Sequence, residues 1–188
     1  MPKLGMEPVR RAALVQATVA EIGAAGSLDV TVSQIARRAG MSSALAHHYF
    51  GGKDQIFLAA MRHILREYSA EVRSALTACA RPQDRLAAVI RANFAPSCFE
   101  PATVSAWLNF YVQAQSVPEA ARLLRIYQKR LQSNLCHALR WHVTDPLPAA
   151  QTLGALIDGV YLRAVLGDCD METGAEQVLT CARALAGE

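Results

Sequence analysis

Between Ser42 and Tyr49 the chain crowds together two serine hydroxyls, two imidazoles and a phenol: Ser42, Ser43, His47, His48 and Tyr49. Such groups donate and accept hydrogen bonds, which is how proteins hold phosphate oxygens and base edges. They do not form a catalytic set. No Ser/His/Asp or Cys/His combination sits in a recognisable motif, no two carboxylates share a face, and no glycine-rich phosphate loop is present. His137 and His142 are five apart and fall on different faces of a helix, a poor geometry for a metal. The five cysteines, Cys79, Cys98, Cys136, Cys169 and Cys181, are scattered and include no C-x-x-C pair. The expectation is a non-enzyme with no cofactor and no metal site.

The elements that position these groups are legible in TVSQIARRAGMSSALAHHYF, residues 31–50. Thr31 can cap a first short helix, and Gln34 stands where a capping box needs its third residue. Ile35, Ala36 and Ala39 give that helix an apolar stripe, with Ala36 small enough for close approach. Gly40 can take the positive φ that stops the helix, and Met41 fills the space below the turn. Ser42 then caps a second helix whose outer face carries Ser43, His47, His48 and Tyr49. This is the pattern of a helix–turn–helix, which lays its second helix in the major groove of DNA. An ordinary helical hairpin in a bundle is the competing reading.

Charge favours the first. Residues 1–66 hold eight Lys/Arg against four Asp/Glu, while the remaining 122 residues hold eleven against twelve. A cationic end on a nearly neutral body suits a phosphate-bearing partner, although a solvated basic face needs no partner. Apolar residues make up 52% of the 188, enough for a core without disulfides. Unpaired cysteines fit a reducing compartment. No stretch approaches the ~18 apolar residues of a membrane span, and the start lacks an apolar signal core. A soluble, cytoplasmic protein is expected.

Helical signals run along the whole chain. Helices are expected from Glu7 to Ala25, through the two short segments, and from Lys53 to Cys79. Others should cover Gln83 to Ala95, Ala102 to Gln115, and a capping-box start at Ser116–Glu119 through to His142. The last two run from Pro146 to Leu166 and from Glu172 to Ala186. Pro96 and Pro101 bracket a loop. No strand, repeat or low-complexity tract is evident. The predicted fold is all-α, a three-helix head over residues 1–52 and a larger helical bundle over 53–188. The helix after Lys53 links the two, so a shift at its far end could swing the head as a lever.

Residues 14–56 resemble the DNA-binding head of the TetR family of bacterial repressors. Ala17, Gly26, Thr31, Ile35, Ala36, Ala39, Gly40, Ser42, Phe50 and Lys53 carry the likeness in the family's order and spacing. MPKLGMEPVRR at the start, AAMRHILRE at 59–67, AWLNFY at 106–111 and ALIDGVYLRAVLGD at 155–168 are similar to the choline-responsive repressors of glycine betaine synthesis within it. The resemblance implies a homodimer on double-stranded, pseudo-palindromic operator DNA. It implies phosphate contacts from Thr31 and Lys53, and contacts to base edges or backbone from Ser33, Ser42, Ser43 and Ala44. His47, His48 and Tyr49 fill the family's aromatic-aromatic-histidine slot in the order His-His-Tyr, which leaves open which ring stacks and which meets a phosphate. Histidine changes charge near neutral pH, and a phosphate favours its charged form, so operator affinity is expected to rise below about pH 6.5.

The same resemblance implies a small-molecule effector, choline or a related quaternary ammonium. Such a cation donates no N–H bond and is held by aromatic faces beside a carboxylate. Trp107, Phe110 and Tyr111 fall at i, i+3 and i+4, Tyr127 and Tyr161 lie on the next two helices, and Asp158 interrupts an apolar run. These six are the expected ligand residues; aromatics filling a core, with Asp158 paired to Arg163 or Arg125, is the alternative. Ala150, Gly154, Ala155 and Gly159 permit a close helix approach, either within a subunit or across the dimer. A repressor of another small molecule and a helical adaptor without DNA binding remain as alternatives to the choline reading.

Overall fold

A computed structural model describes residues 5–187; the first four residues of the MPKLGMEPVRR stretch lie outside them. Among the described residues the secondary structure is helical throughout. The helices are α1 (Met6–Ala25), α2 (Val32–Arg38), α3 (Ser43–Phe50), α4 (Lys53–Ala78) and α5 (Arg85–Asn93). They continue with α6 (Pro101–Gln113), α7 (Pro118–Leu139), α8 (Pro146–Val165) and α9 (Met171–Ala186). Short 3-10 turns occupy Pro82–Asp84 and Pro96–Phe99, so the predicted Pro96–Pro101 loop is a turn, and α5 starts two residues later than its sequence suggests.

Punctuation explains most boundaries. Gly26 ends α1 in the left-handed region, donating its N–H to Ile22 O. Pro101 and Pro146 sit at first helical positions, where a missing N–H costs nothing. Asp145 and Asp170 accept backbone N–H groups at the starts of α8 and α9. Two expectations need correcting at α7. It begins at Pro118 rather than inside a Ser116 capping box, because the Ser116 hydroxyl turns back to donate to Gln113 O. It ends at Leu139 rather than His142, the chain closing in a turn with His142 N and Val143 N both donating to Leu139 O.

The chain forms two compact units. One joins the residues up to Leu65 to Glu100–Leu123, and the other joins Arg66–Phe99 to Leu124 and beyond. In the first, α1 packs along α6 and α2 packs on α1 and α3. Its core includes Leu14, Ile22, Ile35, Ala36, Ala46, Phe57 and Phe110, all under 3% exposed. Gly23 lets α1 and α6 cross closely: a Cβ there would lie 2.6 Å from Ala102 Cα. In the second, α9 packs against α8 and α5, around Val89, Ile90, Leu153, Ile157 and Val178.

Candidate nucleic-acid interface and aromatic clusters

The reader is built as its sequence requires. Thr31 Oγ1 accepts the Gln34 N–H at 3.2 Å, and the Gln34 side chain accepts Thr31 N–H at 2.7 Å, closing the capping box. The Thr31 hydroxyl also donates to Gln34 Oε1 at 2.8 Å. A phosphate reached by Thr31 must therefore first displace that carboxamide. Gly40 takes φ 67°, a conformation that strains any residue with a Cβ, and Met41 N–H closes the turn on Ala36 O. Met41 is half-buried below it.

Ser42 caps α3 by accepting the Leu45 N–H at 3.2 Å, which leaves its own O–H free to donate. Ser43 Oγ donates to Ser33 Oγ at 2.9 Å, tying α3 to α2. Ser33, Ser42, Ala44, His47 and His48 are exposed, while Ser43 and Tyr49 are half-buried. Only Ala46 of α3 is fully buried. The structure thus leaves most of the predicted contact residues accessible on α2, α3 and their caps. His47 Nδ1 lies 3.1 Å from Gly51 O. A carbonyl only accepts, so Nδ1 carries hydrogen and Nε2 is left for a partner. Lys53 opens α4, exposed, with its amine 5.5 Å from the Phe57 ring centroid.

Sequence reasoning missed Arg11. Its guanidinium lies 5.3 Å from the Tyr49 ring centroid and 5.2 Å from that of Phe50, while Nε donates to Glu7 at 2.8 Å. Arg38 on α2 similarly reaches Glu21 on α1 at 2.6 Å. Eleven residues into the chain, Arg11 carries no local signal of this contact with rings 38 residues away.

The expected ligand residues fall into the two units. In the first, Trp107 meets Phe110 at 5.8 Å and Tyr111 edge-on at 5.5 Å; Trp107 and Phe110 are buried. In the second, Tyr127 meets Tyr68 of α4 at 5.6 Å, edge to face. Tyr161 meets Phe99 at 5.0 Å and donates its hydroxyl to Cys98 O at 2.8 Å. Asp158 lies half-buried on α8, on the wall of an open groove of about 250 Å³ that Gln128, Gln132, Ala150, Gly154 and Ala155 also line. Arg163, one of its two anticipated partners, pairs with Asp168 at 3.1 Å. Tyr68, Asn93 and Phe99 were not anticipated; nothing in their spacing marks them.

Burial pushes the Tyr68 phenol well above its usual range, with Cys98 and Asp158 adding to the effect and the Asn93 hydrogen bond opposing it. Burial also pushes the Cys98 thiol up to about 11. All five cysteines are free. Among the described residues no group of three or more His, Cys, Asp or Glu could hold a metal ion, and no helix is long and apolar enough to cross a membrane.

A capped two-helix reader on an all-helical scaffold defines a DNA-binding regulator, and comparison with known proteins agrees. Residues 14–60 match the bacterial regulatory proteins of the tetR family, and residues 82–188 match the C-terminal part of BetI-type transcriptional repressors. The chain belongs to the TetR family, with a BetI-type C-terminal part. It is 52% identical over 169 residues to the HTH-type transcriptional regulator BetI of Brucella anthropi, covering 89% of this chain and 87% of that one. It is 47% identical over 182 residues to BetI of Rhizobium meliloti, covering 96% and 90%. Among solved structures, a transcriptional regulator from Pseudomonas aeruginosa superposes with TM-score 0.84 at 25% identity, over 98% of this chain and 93% of that one. A regulator from Saccharomonospora viridis, solved in complex with choline, superposes with TM-score 0.76 at 20% identity over 90% and 93%. Its family makes this chain a DNA-binding transcriptional repressor rather than an enzyme.

Proposed function

We propose that the chain binds double-stranded operator DNA as a homodimer in the cytoplasm and releases or re-engages it in response to choline or a related quaternary ammonium. In this reading it controls genes that convert choline to glycine betaine. Residues 1–52 serve as the DNA-binding part and 53–188 as the ligand-binding and dimerisation part. The observation that carries the choline assignment is the BetI-type likeness over 82–188, which lies wholly outside the reader. The choline complex of the Saccharomonospora viridis protein supports it at the level of fold.

Each subunit lays α3 in a major groove, the two half-sites lying about one helical turn apart, ~34 Å. Thr31 and Lys53 hold phosphates; Ser33, Ser42, Ser43, Ala44, His47, His48 and Tyr49 contact base edges and backbone. In the second unit, Tyr127 and Tyr161 supply aromatic faces for the cation and Asp158 supplies the opposing charge; Trp107, Phe110 and Tyr111 offer a separate aromatic face in the first unit. The exposed apolar residues Leu147, Leu162 and Leu166 of α8 and its C-terminal end, with Leu185 of α9, and the small residues Gly154, Ala155 and Gly159 suit a helical dimer contact.

The test begins by selecting a duplex from a random library with the full-length protein and measuring its affinity by fluorescence anisotropy. Affinity should fall steeply with salt, as counterion release demands. Choline added to the complex should change that affinity, whereas betaine aldehyde and glycine betaine distinguish neighbouring effectors. A chain that enriches no duplex, or a complex indifferent to choline at millimolar concentration, overturns the corresponding half of the reading.

A further inference from the structure

The second unit contains a part-buried polar pair that joins two helices. Tyr68 Oη, on α4, donates to Asn93 Oδ1, on α5, at 2.8 Å. Asn93 is itself buried, 6% exposed, and its Nδ2 donates to Val89 O at 2.8 Å. That second bond fixes the carboxamide, because a carbonyl accepts and so only the NH2 side can face it. Asn93 Oδ1 is thereby committed as an acceptor and the Tyr68 hydrogen is committed to it. What Oη still offers is lone-pair density, an acceptor for an incoming O–H.

The surroundings complete a chemical description. The ring of Tyr127, 8% exposed, stands edge to face with the Tyr68 ring. Asp158 and Cys98 lie within electrostatic reach of the phenol. Aromatic surface and a carboxylate suit a cation; a fixed acceptor beside them suits a hydroxyl. Tyr161 differs, since its hydroxyl is spent on Cys98 O.

Resting on the choline-type reading above, we propose that Tyr68, held by Asn93, is the specificity-determining residue that accepts the hydroxyl of a small cationic alcohol. The ammonium group lies against the Tyr68 and Tyr127 rings near Asp158, and the alcohol donates to Tyr68 Oη. A single neutral hydrogen bond of this kind is worth roughly three- to ten-fold in affinity.

Calorimetry on the full-length protein tests this with choline and with propyltrimethylammonium, which replaces the hydroxyl by a methyl group. The wild type should bind choline roughly three- to ten-fold more tightly. Tyr68→Phe should remove that preference through the choline affinity alone, while Thr77→Ala, which removes an exposed hydroxyl of the same helix bonded to Arg73 O, should keep it. If Tyr68→Phe does not fold, judged by its melting curve, Asn93→Ala frees the Tyr68 hydrogen and should likewise narrow the preference. Equal weakening of both ligands in Tyr68→Phe, or an unchanged preference, overturns the proposal. A wild type that binds choline without preference overturns it while the choline reading stands; one that binds neither overturns both.

Discussion

Arg11 and Tyr49 are stacked, guanidinium carbon to ring centroid, at 5.3 Å, and the same cation lies 5.2 Å from Phe50. α3 has eight residues and one fully buried side chain, too little to hold its last turn rigid unaided. α1 therefore steadies the far end of α3 through one cation. Exposed cation–π contacts contribute about 0.5–1 kcal/mol, and lysine keeps the charge without the planar stacking. Arg11→Ala should lower both the melting temperature and operator affinity, with Arg11→Lys intermediate. Anisotropy and thermal melts read both quantities, and an Arg11→Ala protein that binds the selected duplex as the wild type does would show that the stack is incidental.

The near end of the reader depends on its caps. Thr31→Ala removes the acceptor for Gln34 N–H and half of the capping box, which should cost about 1 kcal/mol. Thr31→Ser keeps the hydroxyl and should recover most of it. Urea denaturation monitored by circular dichroism measures the difference; equal midpoints for wild type and Thr31→Ala would mean that the capping box contributes nothing to stability.

These two cases mark what the sequence reveals. Caps act within four residues, so Thr31, Gly40, Ser42 and Pro146 can be read as written, and with them nearly every helix boundary. Ser116 misled because its hydroxyl had a second acceptor nearby, Gln113 O, that spacing does not disclose. The stripe Trp107, Phe110, Tyr111 was legible for the same local reason. Arg11 over Tyr49, Tyr68 on Asn93 and Gly23 against Ala102 join residues 25 to 79 positions apart. Such pairings follow from how helices cross, and a single sequence carries no period or motif for them.

His47 gives the interface an oriented ring. With Nδ1 hydrogen directed at Gly51 O, only Nε2 is left for DNA. His47→Ala/His48→Ala should therefore weaken operator affinity at fixed pH and salt, and a double variant that binds the selected duplex as the wild type does would exclude a histidine contact.

Cys98 should be a slow thiol. Burial holds its proton up to about 11, with Glu71 reinforcing and Ser97 opposing the effect. The nucleophile is the thiolate, so iodoacetamide at pH 8 should modify the half-buried Cys98 slowly in the native protein and faster on unfolding. The stability sign follows from linkage. A folded-state value above the unfolded one means that Cys98 contributes fully below about pH 9 and loses that contribution as pH rises toward about 11. Peptide mapping by mass spectrometry resolves the five cysteines, and labelling of Cys98 ahead of the other four in the native protein would contradict its raised thiol pKa.

Gly23 offers the sharpest contest between local and tertiary preference. It lies inside α1, where alanine is favoured over glycine by about 1 kcal/mol. A Cβ at this position would stand 2.6 Å from both Cα and Cβ of Ala102 on α6, and backbone cannot move aside as a flexible side chain does. Overpacking of this kind costs typically about 1–3 kcal/mol, so the clash should outweigh the propensity gain and Gly23→Ala should destabilise the first unit. The crossing also carries the Ser105 hydroxyl donating to Ile22 O at 3.2 Å, a bond that any widening of the two helices stretches. Ala24→Gly, exposed one residue away, serves as control: it should lose only the helix-propensity term. If Gly23→Ala instead melts higher than the wild type, α1 and α6 do not approach as closely as 2.6 Å implies, and the packing of the first unit needs revision.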